Sequence, residues 1–565
     1  MSTRRKLWAI WCCFLARAIF YCTAVPLWEG YDEYSHFALV QYVAVHHGRF
    51  PLESILPNSS RTVSESRRLT PGAWIIRDTS KGILSYEEYF SLPSPEQKAR
   101  RARLERLPAA WSREGAEPAE PLYEAQQPPL YYWIMAPFYG LAEALGIPRV
   151  VWILRSVTAL IASTAIPMAF FAGRRVFRDD GLALGVALVV ASFPELLIVI
   201  GHVSNEGLSL AVGALFVLLA LKLEQGTPSL RSGLWFGVAL GAALLTKAYF
   251  LALVPLAAVV LFYAWFRDAA SRSRAAWQAV VAFGSCAIIS GWWYVHNLLV
   301  TGTLTGQFED AQAIANGNVS LLRAVSQAHW AKVFDFVTVS HIWLGDWSFL
   351  VVRAWMYRVV EAMVLVAIAG VCAQFVRPLS GLPRPRELGL LTLPYLAMLA
   401  GLSFHAAQVF RARGTAATVG YYLYALVVPE AILLIAGLAR LMPAKIRLLP
   451  VPIVAFVLLG LEQFGCWFVL LPYYAGLVRH NADGRLPTVR IAQLWNGRGV
   501  FFNHLGGIGP VSSPFQVEAA SVLYLIATAV LLWLACRMAV SLQMFTGVRG
   551  KSAIGSSILL TSGPG

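Results

Sequence analysis

Pro128-Pro129-Leu130-Tyr131-Tyr132-Trp133-Ile134-Met135-Ala136-Pro137-Phe138-Tyr139-Gly140-Leu141-Ala142-Glu143-Ala144-Leu145-Gly146 is the stretch on which the layout of the chain turns. Either it crosses a bilayer or it lies along one, and every later loop changes side with the answer. It falls just short of the ~20 residues that span a hydrocarbon core. The two prolines give it an extended entry, the second being tolerated at a helix start. The tyrosines and tryptophan that follow suit the headgroup level. Basic clusters decide. If the stretch lies at the outer interface, the clusters Arg174–Arg178, Lys222–Arg231, Arg267–Arg274, Arg377–Arg386, Arg440–Arg447 and Arg537–Lys551 all fall inside, as positive-inside ordering requires. If it crosses, that order is lost. The stretch reads as an interfacial or re-entrant helix.

The surrounding composition fits a bilayer. The chain has 565 residues, 57% of them hydrophobic and 14% charged, with a mean hydropathy of +0.59. A soluble domain carries about 25% charged residues. The net charge of +15 sits in short connectors between apolar runs, which argues against nucleic acid as a partner. Seven scattered cysteines without a CxxC pair predict neither disulfides nor a structural zinc site. Arg4-Arg5-Lys6 before Trp8, Trp11, Phe14 and Arg17 predicts a retained first span and no cleaved signal.

The expected fold is all-α and polytopic, with about twelve transmembrane helices and both termini cytoplasmic. The spans are placed at 7–25, 150–173, 182–203, 207–223, 233–246, 250–266, 277–298, 350–376, 388–404, 420–440, 447–471 and 518–540. Residues 1–440 form one transmembrane module whose outer loop, 26–149, holds interfacial helices, including a charged one over Pro93–Leu107. Residues 441–541 add C-terminal helices with an outer loop at 472–517, and 542–565 form a disordered cytoplasmic tail. Most polar residues that look out of place in apolar sequence fall outside, so any chemistry is expected on the extracytoplasmic face.

Trp28-Glu29-Gly30-Tyr31-Asp32-Glu33-Tyr34-Ser35-His36-Phe37 opens the long outer loop. On a helix, Asp32 and His36 share a face at i, i+4, while Glu33 points about 100° away. A partly desolvated carboxylate there suits a general base; a solvated loop acid is the plain alternative. Asn205-Glu206 sits at the outer end of a span, where an acid is either a functional group or a polar turn. Gln126 and Gln127 precede the prolines. Lys247 lies between two apolar runs and should face water or an anion, since burial at a bilayer centre costs ~2.5–3.5 kcal/mol. Trp293 and His296 end another span in Gly291-Trp292-Trp293-Tyr294-Val295-His296-Asn297. Arg411 and Arg413, suited to bidentate phosphate contact, precede Gly420-Tyr421-Tyr422.

In that order, these motifs resemble the GT-C superfamily of polytopic glycosyltransferases, in the bacterial branch similar to protein O-mannosyltransferases and lipid A aminoarabinose transferases. The resemblance extends to about residue 430 and rests on order and spacing. It implies transfer, with inversion, of a sugar from a polyprenyl-phosphate donor to a hydroxyl of a lipid, glycan or protein, at the outer face of a bacterial inner membrane. It also implies Asp32 as base, Glu33 and His36 as its companions, and Glu206 as a second acid. Lys247, with Arg411 or Arg413, would hold the donor phosphate, and Gln126, Gln127, Tyr131, Asn205, Trp293, His296 and Tyr421 would line the substrate. No cofactor is certain; a divalent cation, Mg or Mn, on Asp32 and Glu206 stays open. The branch often has arginine at the positions of His296 and Tyr421. Neither residue here replaces an obligate cationic contact, so other residues hold the phosphate or activity is altered. The competing classes are a transporter or flippase, which would show inverted repeats and midplane acids, and a scaffold with a degenerate site.

Overall fold

In lipid a backbone has no partner but itself, so each long apolar run closes its hydrogen bonds as a helix. The computed structural model describes residues 1–52, 61–72, 82–109, 122–267, 269–317, 319–481 and 486–552. Among these, ten helices are long and apolar enough to cross a membrane: Thr3–Ala24, Ile147–Phe177, Glu206–Gln225, Ala248–Arg267, Ala269–Thr301, Ala354–Val376, Pro385–Arg413, Gly420–Arg440, Pro450–Tyr474 and Pro514–Met538. An eleventh element, Asp180–Val190 with Pro194–Ile200, is bent by 60° at its break, where Pro194 opens the second half. The remaining expected span is a 15-residue apolar helix, Leu230–Leu244. Each of the twelve expected segments thus has its helix.

The deciding stretch forms a 13-residue helix, Leu130–Ala142, about 20 Å long at 1.5 Å per residue and too short to span. Tyr131, Tyr132, Met135 and Tyr139 are buried on one side, while Phe138, Leu141 and Leu145 are exposed. Its first amide, Leu130 N–H, donates to the Leu245 carbonyl at 3.0 Å, beside Lys247. The long loop also carries helices Glu33–Val45, Arg61–Leu69, Tyr86–Ser91 and Ser94–Arg106, the last where a charged helix is expected.

The C-terminal helices share one continuous core with the rest. Arg17 in the first span pairs with Glu462 in Pro450–Tyr474, both fully buried, and Tyr21 donates to the same carboxylate at 3.2 Å. A charge pair inside the bundle removes the cost of either charge alone. Helices Ala354–Val376 and Gly420–Arg440 cross closely, because a Cβ on Gly370 would stand 1.9 Å from the Gly437 carbonyl oxygen. The last helix continues to Ser552, into the expected tail; residues 553–565 of that tail lie outside the described residues.

Candidate functional site

The chain between the first span and the next helix is stapled before it presents a functional group. Arg155 grips both oxygens of Glu33, through Nε and a terminal nitrogen, each at 2.6 Å. The same guanidinium donates to the carbonyls of Val25 and Pro26, both at 2.8 Å. Glu33 further accepts from the amides of Trp28 at 3.1 Å and Val203 at 3.0 Å. These bonds hold Glu33 low despite its burial, chiefly through the Arg155 charge. Glu33 is therefore spent on architecture and does not line the site.

The residue before it does. Asp32 precedes helix Glu33–Val45 in the left-handed region, φ 53°, and its carboxylate makes no cap bond to that helix. A non-glycine residue held there is strained, and such strain gathers at working sites. Two residues earlier only glycine fits, because a Cβ on Gly30 would meet the His202 ring at 2.3 Å. The turn thus lies hard against the 201–205 turn, and Asp32 projects into a cavity of about 90 Å³.

Seven chain segments close that cavity. Asp32 and His36 come from the first loop, Glu124, Gln126 and Gln127 from the short 3₁₀ turn before Pro128, His202 and Glu206 from the third tip, and Lys247 from the next. Glu309, His405, Tyr421 and Tyr422 complete it. Lys247 donates to Glu206, Tyr249 donates to the other Glu206 oxygen at 3.1 Å, and the ammonium lies 4.5 Å from the Tyr422 ring centre. His36 shares a hydrogen bond with Tyr132 at 2.9 Å, and its Nε2 is 3.7 Å from Glu124. Glu309 accepts from Tyr123 at 3.0 Å and from Arg413 at 2.7 Å. Gln126 accepts from the Phe308 amide at 2.6 Å.

Burial sets the charges. It lifts the Asp32 carboxyl to about 6, with Lys247 pulling the other way. It pushes Glu124 well above the usual carboxylate range, helped by Asp32. It also pushes His36 well below its ordinary value, with Lys247 adding to the effect, and His202 down to about 3. Glu206 is matched by Lys247 and Glu309 by Arg413. Asp32 is left as an ionised carboxylate without a dedicated cation. Side-chain oxygens of Gln127 and Ser204 are buried here with no hydrogen-bond partner, an arrangement suited to a polar ligand.

Of the residues expected from sequence, Asp32, His36, Glu206, Lys247, Gln126, Gln127 and Tyr421 meet in this cavity. Lys247, expected to face water or an anion, does so paired with the Glu206 carboxylate and nearly closed off from solvent. The others stand back from it. Asn205 donates to the Thr246 carbonyl at 3.2 Å and ties the two tips together. Tyr131 bonds Thr158 at 2.8 Å. Trp293 packs on Phe50, and the His296 ring meets the Leu52 carbonyl at 2.8 Å. Arg411 holds the Val319 carbonyl at 2.9 Å and Gln408 at 2.8 Å, and Arg413 reaches the cavity only through Glu309. Among the described residues no group of three or more His, Cys, Asp or Glu is disposed to hold a metal ion. Glu309, His405 and Tyr422 are lining residues that sequence reasoning misses; an acidic pair at Glu309-Asp310 in an outer loop is the signal that points to the first.

No protein-family model and no curated protein matches the chain. Solved structures similar to it include ArnT from Cupriavidus metallidurans bound to undecaprenyl phosphate, at 16% identity and TM-score 0.46, covering 94% of this chain and 77% of that one. The Archaeoglobus fulgidus oligosaccharyltransferase with Zn and sulfate matches at 13% identity and TM-score 0.45, covering 80% and 52%. AglB from the same organism, with an inhibitory peptide and a dolichol-phosphate, matches at 12% and 0.43, covering 81% and 55%. The chain spans about half the length of these oligosaccharyltransferases. Likeness at this distance carries no residue's role across to this chain.

Proposed function

We propose that the protein is a membrane glycosyltransferase moving a sugar from a polyprenyl-phosphate donor to a hydroxyl acceptor on a lipid, glycan or protein. Its site faces the extracytoplasmic side of a bacterial inner membrane. The observation that carries this reading is one cavity holding the carboxylate of Asp32, on a left-handed backbone and without its own cation, and a fixed ammonium, Lys247.

In the reaction Asp32 takes the proton of the acceptor hydroxyl as the acceptor oxygen bonds the anomeric carbon. The bond from that carbon to the donor phosphate oxygen breaks, and the phosphate leaves with the electron pair. A single displacement inverts the anomeric centre. Lys247, kept in place by Glu206 and the rings of Tyr249 and Tyr422, stabilises charge on the departing phosphate; such prepared electrostatics is usually the largest catalytic contribution. Buried Glu124 and the amides of Gln126 and Gln127 are suited to sugar hydroxyls. Glu33 and Arg155 act through Asp32 by fixing its turn.

The test is transfer by the purified full-length protein in vesicles containing a panel of polyprenyl-phosphate sugars and crude envelope acceptors. Transfer by wild type that Asp32→Asn abolishes is the expected result. Wild type that transfers nothing from the panel, or Asp32→Asn that transfers as fast, overturns the assignment.

A further inference from the structure

Three elements run from the candidate site to a second cavity at their far ends. Asp180–Ile200 ends near His202 in the site and begins beside Asp179. Helix Pro385–Arg413 carries His405 into the site and begins at Arg384. Gly420–Arg440 starts with Tyr421 and Tyr422 and leads to Ala444. Around Asp179, Arg384 and Ala444 lies a cavity of about 740 Å³.

Its lining joins cations to an apolar wall. Arg178, Arg384 and Arg447 line it together with Asp179, and Phe177, Leu182 and Leu448 belong to the same lining. Asp179 is used locally, accepting the Leu182 amide at 2.8 Å, and Arg178 is committed to Glu387. Two guanidiniums are less committed. Arg384 is exposed. Arg447 donates one terminal nitrogen to the Ser380 carbonyl at 2.7 Å, while its Nε is buried without a protein partner.

The wall between them is built in advance. Gln374 donates to the carbonyls of Leu379 at 3.2 Å and Pro383 at 3.0 Å, and accepts the Leu379 amide at 3.0 Å. Pro378, Pro383 and Pro385 stiffen the same connector. Next in sequence to lining residues or close to them, Val376 is 87% exposed, and Leu441 and Ile446 are also exposed. A free anion has no use for the apolar lining of Phe177, Leu182 and Leu448, whereas an amphiphile does. Basic pockets between membrane helices hold anionic headgroups, and guanidinium pairs with phosphate in bidentate fashion.

We propose that this cavity binds the phosphate headgroup of an anionic phospholipid from the leaflet opposite the candidate active site, with Arg384 and Arg447 as its contacts. The site is independent of the glycosyltransferase reading.

The experiment uses the delipidated full-length protein in micelles doped with phosphatidylglycerol or phosphatidylcholine, with a third arm of inorganic phosphate. Bound lipid is counted by native mass spectrometry and stability by thermal unfolding. Wild type should retain phosphatidylglycerol over phosphatidylcholine by roughly tenfold or more, and Arg384→Gln/Arg447→Gln should erase the preference while unfolding normally in phosphatidylcholine. If the double variant does not fold, Arg384→Gln alone should lower the preference. Arg231→Gln/Arg274→Gln, which removes equal charge from other connectors, should keep it. Equal retention by the Arg384 variants, equal loss in the control pair, no preference in wild type, or stabilisation by inorganic phosphate matching that by phosphatidylglycerol each overturns the proposal.

Discussion

Lys247 and Glu206, 41 residues apart in sequence, form an ion pair inside the site with side chains only 10% and 8% exposed. The pair joins two interhelical tips that the Asn205 bond to Thr246 already draws together. It also answers how a lysine between apolar runs is tolerated: its charge is met by a carboxylate and two aromatic rings.

Removing one partner strands the other. Lys247→Met should lower stability by about 3–5 kcal/mol, because Glu206 is left as an unpaired buried charge. Lys247→Met/Glu206→Met should recover most of that loss. Under the proposed mechanism neither variant transfers sugar, since both lack the ammonium. Thermal unfolding beside a transfer assay checks both halves; a double variant as unstable as the single one would mean the pair is not the reason.

Under the proposed mechanism Asp32 sets the pH dependence of the reaction. Its carboxyl is lifted by burial to about 6, and a base works only when ionised. The transfer rate of wild type should rise with pH, with a midpoint near 6, and level off above it. Asp32→Asn should reduce the rate by roughly 10²–10⁴-fold while the protein stays folded. Initial rates between pH 5 and 8 at saturating donor give the profile.

The spans, the short interfacial helix and the candidate base are legible in the chain because each depends on local sequence: run length, flanking charge, residue spacing. The 100° offset of Glu33 from Asp32 already marks it as facing elsewhere, but what it faces is not readable. Arg155 lies 122 residues on, inside an apolar run where it looks like an ordinary boundary charge. Glu309 reaches the cavity from helix Phe308–Asn316 and His405 from the long apolar helix Pro385–Arg413, placements that tertiary packing sets. Arg411 and Arg413 suit phosphate by type, yet tertiary packing gives them carbonyls and Glu309 as partners.

Arg155 should therefore behave as a structural residue with a catalytic consequence. Arg155→Met leaves Glu33 buried and uncompensated, at a cost of about 3–5 kcal/mol. Arg155→Met/Glu33→Gln replaces the charges with a neutral pair and should recover part of it. In that double variant the turn before Asp32 is held by fewer bonds, so kcat should fall while the pH midpoint of the remaining activity stays near 6. A shifted midpoint would place Glu33 in electrical contact with the base.

A second acidic cluster beneath the site gives the fold its own pH response. Glu29 accepts hydroxyls from Ser348 at 2.9 Å, Tyr86 at 3.0 Å and Tyr474 at 3.1 Å, and Tyr474 also lies 3.4 Å from Asp346. Burial raises Glu29 from its ordinary 4.5 to about 7, outweighing those three donors, and raises Asp346 well above its usual range, with Glu29 adding to the effect. The folded state therefore holds a proton that the unfolded chain has released between about pH 4.5 and 7. Bound protons in excess on the folded side make stability fall as pH rises. The Glu29 contribution is complete below the unfolded value and lost through pH 7. Wild type should unfold at progressively lower temperature from pH 5 to 8. Glu29→Gln, which keeps the shape without the titration, should flatten part of that slope and leave the Asp346 share. An unchanged slope in Glu29→Gln would mean that Glu29 is ionised in the folded protein throughout this range.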